Sequence, residues 1–146
     1  MIHSNPADCI YHLISQVRLV VTSELKKEFL EFGTDHIKPA YLGVLMSLWN
    51  QDGLKVVELG RRAGLEPSTM TGLLDRMERD KLLTRVSDPK DRRSLKIELT
   101  DKGKENKETV LTIIENVQKN IFNEISEEET DTVSRVLRKV LNNFGR

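Results

Sequence analysis

Leu82-Leu83-Thr84-Arg85-Val86-Ser87-Asp88-Pro89-Lys90-Asp91-Arg92-Arg93-Ser94-Leu95-Lys96-Ile97-Glu98-Leu99 is the stretch that decides the fold. Leu82 to Val86 reads as a strand, and Leu95, Ile97 and Leu99 alternate with Lys96 and Glu98 in a second one. The polar segment Ser87–Ser94 between them predicts a hairpin tip that carries Lys90, Arg92 and Arg93. A charged hairpin of this kind takes its meaning from what precedes it.

Two short helical patterns come first. Val56, Leu59 and Ala63 share one helix face and lead to Gly64, a plausible C-cap. After Glu66-Pro67, a helix from about Pro67 to Lys81 turns Met70, Leu73, Leu74 and Met77 inward. Its other side shows Ser68, Thr69, Thr71, Gly72, Asp75 and Arg76. Two short helices joined by a glycine-containing turn form a helix-turn-helix, and the hairpin after it makes a winged helix.

Further out the pattern is helical. Asn5-Pro6-Ala7-Asp8 offers an N-cap, a proline at the first helical position and an acid in the first turn. Ile10, Leu13, Val17, Val21 and Leu25 follow at helical spacing, and Gly33 ends the helix. A second helix from about Lys38 to Asn50 carries Tyr41, Leu42, Leu45, Leu48 and Trp49 on its apolar side, and Asn50-Gln51-Asp52-Gly53 turns. Thr100-Asp101 caps a long helix with Val110, Ile114, Val117 and Ile121 on one side. Ser126 and Glu129 form a capping box that opens a last helix bearing Val133, Val136, Leu137, Val140, Leu141 and Phe144. The fold class expected is mainly α with a small β-hairpin wing.

At 146 residues the chain fits one domain. Net charge is zero, but it is unevenly spread. Leu54 to Lys104 holds 13 Lys and Arg against 9 Asp and Glu, while the rest holds 10 against 14. A basic middle between acidic flanks fits a DNA-facing segment on a scaffold that faces elsewhere. No apolar run is long enough to span a membrane, and the start lacks the basic and apolar regions of a secretory signal. With one cysteine, Cys9, no internal disulfide forms, and a cytoplasmic setting is expected.

Catalytic motifs are absent: no H-E-x-x-H, phosphate-binding loop, dinucleotide fingerprint or serine elbow occurs. No cofactor is expected. Cys9, His12, Asp35 and His36 are the only metal candidates, but His36 lies beyond the opposite end of the first helix from Cys9 and His12, so no metal site is assigned.

The run from Asp88 to Gly103 resembles the MarR signature, D-x-R followed by L-T-x-x-G. Asp91, Arg93, Leu99, Thr100 and Gly103 stand at its fixed positions. The resemblance extends over nearly the whole chain. It implies one domain over residues 1–146, with dimerisation helices in 5–33 and 105–146 and a winged helix-turn-helix in 38–100. It also implies a homodimer on pseudopalindromic double-stranded operator DNA. The terminal apolar stripes fit this, being more than one small domain easily covers.

On that reading Ser68, Thr69, Thr71 and Arg76 face the major groove, with Arg76 suited to a guanine. Gly72 departs from the family pattern, where a larger polar or basic residue is common. Arg92 and Arg93 suit the minor groove, where negative potential concentrates. Resemblance makes Asp91 a brace for one of these arginines. Lys90, Lys96, Arg61 and Arg62 are expected at phosphates.

Many relatives bind a small aromatic or phenolic effector between the dimerisation helices and the winged-helix unit. Leu13, Val17, Tyr41, Leu45 and Trp49 are the expected lining here, a composition equally suited to ordinary core. The function expected is a repressor released by such an effector. The alternative is an oxidant-sensing repressor acting through Cys9, whose position at a helix start favours the thiolate. In the hydroperoxide-sensing branch, however, the reactive cysteine stands about a turn closer to the second helix, near Leu13.

Overall fold

The computed structural model describes residues 9–146, so the Asn5-to-Asp8 cap lies outside the described residues. Helix α1 spans Ile10–Glu31, with Cys9 as N-cap making no side-chain cap bond. Gly33, at φ +67°, takes the left-handed turn that ends it, and the Thr34 amide returns to the Phe29 carbonyl at 2.8 Å. Of α1, only Leu25 and Phe29 are buried.

The second helix differs in detail from its expectation. Lys38 is the cap, Pro39–Tyr41 forms a 3-10 turn, and α2 then runs Leu42–Asn50. Proline at the first position fixes φ and lacks an amide, which suits a tight opening turn. Tyr41, Val44, Leu45 and Leu48 are buried, while Leu42 and Trp49 are half-buried.

A two-residue strand, β1 (Leu54–Lys55), precedes α3 (Val56–Ala63) and α4 (Pro67–Arg79). Gly64 sits at φ +68° between the helices. All four residues expected inward on α4, Met70, Leu73, Leu74 and Met77, are buried. Strands β2 (Leu83–Asp88) and β3 (Asp91–Leu99) follow, and the antiparallel sheet has the order β1-β3-β2. It thus has three strands where the sequence suggested two.

The expected long helix after Thr100 is broken. Helix α5 (Asp101–Glu105) stops at Asn106 and α6 (Lys107–Ile121) resumes. The Asn106 amide side chain donates to the Lys102 carbonyl at 2.7 Å, and its oxygen lies 3.2 Å from His36 Nε2. Those bonds compete with the regular ladder at this point. The last helix, α7 (Glu127–Asn142), opens with the Ser126–Glu129 capping box.

One core joins Phe29, Ile37, Leu45 and Leu48 to Leu59, the inner face of α4, the sheet residues Leu83 and Ile97, and Val110 and Ile113 of α6. Each such side chain removed from water stabilises the fold by about 1.5–3 kcal/mol. The terminal helices behave differently. No residue of α7 is buried, and Val133, Val136, Leu137, Val140 and Leu141 are 44% to 51% exposed. Ile10, Leu13, Ile14, Val17 and Val20 of α1 are exposed as well.

Candidate nucleic-acid interface

The recognition face is built by α4. With Met70, Leu73, Leu74 and Met77 fixed in the core, helical geometry turns Ser68, Thr69, Thr71 and Arg76 to solvent, and all four are exposed. Thr71 donates weakly to the Pro67 carbonyl at 3.4 Å. The hydroxyls of Ser68 and Thr69 make no hydrogen bond among the described residues, and Glu66, not either of them, is the N-cap. Arg76 has no ion-pair partner there. Its Nη1 lies 3.8 Å from where a Cβ on Gly72 would stand, so Gly72 leaves open the strip of helix along which this guanidinium lies.

Two carboxylates on the same helix would repel a phosphate backbone. Both are neutralised by Arg85 of β2, which the sequence did not single out. Its Nη2 meets Asp75 at 2.7 Å and its Nη1 meets Glu78 at 3.0 Å. The Arg85 amide also donates to Glu78 at 3.1 Å. Arg85 thereby holds wing and recognition helix together.

The wing is tighter than the expected Ser87–Ser94 loop. Asp88 faces Asp91 across a two-residue turn, Pro89-Lys90. Ser87 pairs with Leu95, so the register breaks and the extra residues of β3 bulge outward. Arg92 and Arg93 lie on that bulged strand, exposed and without carboxylate partners. Asp91 reaches Arg93 through the backbone, accepting its amide at 3.1 Å. The brace expected on a guanidinium is therefore a brace on the main chain.

Asp88 is buried, an unusual place for a carboxylate. It accepts the Lys90 amide at 3.0 Å, and Lys55 and Lys96 stand 3.8 Å away. The amide bond and the nearby ammonium groups hold its carboxyl below the ordinary range against burial, which acts the other way. Lys55 and Lys96 are directly opposite across β1 and β3. Like charges so placed repel, and Asp88 offsets this.

Arg61 and Arg62 are exposed but share Glu58, each with a 2.7 Å contact. Their hydrogen bonds lower the Glu58 pKa to about 2. The three together carry one net positive charge, less than the sequence suggested.

The exit from the recognition helix is locked. Asp80 caps α4, and Tyr41 donates to its Oδ2 at 2.7 Å. Lys102 donates to the Asp80 carbonyl at 3.0 Å. Lys81 takes φ +61°, and its carbonyl accepts the Thr100 hydroxyl. Thr100 also caps α5 by accepting the Gly103 amide at 3.1 Å. A Cβ on Gly103 would stand 2.1 Å from the Leu82 carbonyl oxygen, so only glycine fits. The L-T-x-x-G run is thus a knot holding α5 to the end of α4.

These geometries have counterparts in known proteins. The MarR family model matches residues 37–95, from the turn before α2 into the wing. The HTH-type transcriptional regulator SarZ of Staphylococcus epidermidis is 31% identical over 128 residues, which cover 82% of this chain and 84% of that protein. The chain belongs to the MarR family. It is a winged-helix transcriptional regulator of that family and not an enzyme. Among solved MarR-like structures, reduced AbfR bound to DNA superposes with a TM-score of 0.75 at 26% identity, covering 96% of this chain and 94% of that one. BpsR of Bordetella bronchiseptica, solved to explain regulation of its DNA binding by 6-hydroxynicotinic acid, gives 0.85 at 21%, covering 94% and 96%.

The expected effector lining is not gathered in this MarR chain. Tyr41 and Leu45 belong to the core, and Leu13 is exposed on α1. Val17 lines an apolar groove of about 480 Å³ between α1 and α6, with Val20, Val21 and Ile121. Trp49 borders two small clefts elsewhere. The correction has a simple cause: aromatic and aliphatic residues on a helix face pack inward wherever the core accepts them. Cys9 is exposed at the start of α1. Among the described residues no cluster of three or more His, Cys, Asp or Glu could hold a metal, and no helix is long and apolar enough to cross a membrane.

Proposed function

We propose that the chain is a cytoplasmic repressor that binds a pseudopalindromic operator as a homodimer and releases it when a small aromatic effector binds. The observation that carries the DNA half is the pairing of opposites on α4. Its carboxylates are tied to Arg85, while Ser68, Thr69 and Arg76 are left without protein partners. In this reading α4 enters the major groove and the bulged wing puts Arg92 or Arg93 in the minor groove. Lys90, Lys96, Arg61 and Arg62 meet phosphates.

The dimer half rests on the exposed apolar faces of α1 and α7, which lie inside residues 5–33 and 105–146. Faces of this size on both terminal helices need a partner. Residues 38–100 form the DNA-binding unit. AbfR, solved on DNA, and BpsR, whose DNA binding 6-hydroxynicotinic acid regulates, support the two halves of the reading.

The thiol alternative has less support. Tyr41, the phenol that a sensing cysteine would use, already donates to Asp80 and is buried. Selecting bound duplexes from a random pool tests the DNA reading directly. Screening aromatic acids for release, beside a Cys9→Ser comparison under dilute hydroperoxide, separates effector from oxidant. Hydroperoxide release that Cys9→Ser abolishes would make Cys9 the sensor.

A further inference from the structure

Trp49 is the only tryptophan in the chain. Its Nε1 donates to the Gly103 carbonyl at 2.9 Å, which fixes the ring between α2 and the α5 turn. Two clefts flank it. One, of about 210 Å³, lies between α2 and α6 and is lined by Met46, Trp49, Asn50, Lys107 and Leu111. The other, of about 250 Å³, shares Trp49 and Lys107 and adds Lys104 and Asp52.

Lys107 is half-buried, yet no carboxylate pairs with it among the described residues. Asp52, the acid lining the second cleft, has its Oδ1 taken by the Gly53 and Leu99 amides at 2.9 and 3.0 Å. An ammonium partly removed from water without a counter-charge favours an incoming anion. The remaining walls of the first cleft are an indole, a thioether and a leucine, which favour a flat apolar body, and its volume admits a single ring with small substituents.

We propose that this cleft binds a small aromatic carboxylate, with the ring against Trp49, Met46 and Leu111 and the carboxylate on Lys107. The proposal rests on the effector reading above and gives it a site and a ligand class. It also gives a route to DNA. Lys107 opens α6 directly after the Thr100–Gly103 knot, so a ligand wedged between α2 and α6 bears on the exit of the recognition helix.

The test uses the full-length protein and 4-hydroxybenzoate, with 4-hydroxybenzamide as the uncharged control. The single Trp49 indole N–H gives one cross-peak in a nitrogen-15 correlation spectrum. A saturable shift of that peak is expected with the acid. Binding should weaken about tenfold for the amide and for Lys107→Ala, and recover with Lys107→Arg. Circular dichroism checks that each variant is folded. No saturable shift, or the same affinity in folded Lys107→Ala, would overturn the site. Operator binding is measured alongside. Retention of operator by protein saturated with the acid contradicts the effector reading and leaves the site standing.

Discussion

The hydroxyl of Tyr41 donates to Asp80 Oδ2 at 2.7 Å, tying the turn before α2 to the C-cap of the recognition helix. The two residues are 39 positions apart, and one oxygen-to-oxygen bond links the α1–α2 junction to the DNA-facing element. Lys102 and Thr100 grip the same corner from the other side. The end of α4 therefore moves with two neighbours rather than alone.

Tyr41→Phe removes that bond and keeps the ring. A partly buried carboxylate then loses its donor, and stability should fall by about 1–2 kcal/mol in denaturant titration. The pH dependence has a definite sign. Burial, then the bond to Asp80, raise the phenol pKa from 10.0 to about 12. A raised pKa in the fold stabilises the protein fully below the unfolded value. That contribution disappears as pH climbs from about 10 to about 12. Wild type should lose stability more steeply than Tyr41→Phe over this window, and parallel curves would show the phenol to be uncoupled.

Two glycines predict opposite outcomes for the same substitution. Gly103→Ala forces a Cβ to 2.1 Å from the Leu82 carbonyl, a backbone atom that cannot swing away. Loss of about 3–5 kcal/mol, or failure to fold, is expected. Gly72→Ala meets only the end of Arg76, at 3.8 Å, in the interior of α4. There alanine should raise stability by about 0.5–1 kcal/mol, measured by thermal melting.

At the wing, alanine in place of Arg92 or Arg93 should weaken operator binding by roughly 1–3 kcal/mol if that arginine enters the groove. Arg76→Ala should relax preference at one base position instead. Arg85→Ala frees Asp75 and Glu78 to face phosphate, and its loss of affinity should shrink as salt is raised. Binding titrations at two salt concentrations separate these cases. Unchanged affinity in both folded wing variants would show the wing to be idle.

Much of the fold was legible because it follows from periodicity. The α4 core residues and the Ser126–Glu129 box are local patterns, and each forms as read. What escaped was short or distant. Strand β1 has two residues, too few for alternation to show. The break at Asn106 depends on contacts with Lys102 and His36 that spacing does not reveal. The site divides the same way. Exposed residues of α4 and the wing could be named from helix phase and turn chemistry, whereas Arg85 and Tyr41 act through partners remote in sequence. The effector lining failed because composition alone does not separate a pocket from a core, and Tyr41 and Leu45 went to the core.

Removing residues 127–146 deletes α7 and its exposed apolar face. Sedimentation should then show a monomer. Without the second recognition helix, operator affinity should fall by roughly 10³-fold or more toward non-specific binding. A truncated protein that still sediments as a dimer would show α7 to be dispensable.

The central claim is that two copies of this chain present two equivalent recognition helices to one operator. Hydroxyl-radical footprinting on a duplex selected by the protein, with sedimentation of the same complex, tests it most directly. The account predicts two chains per duplex and two matching protected half-sites about one helical turn, roughly 34–36 Å, apart. One unrepeated half-site occupied by a single chain would contradict it.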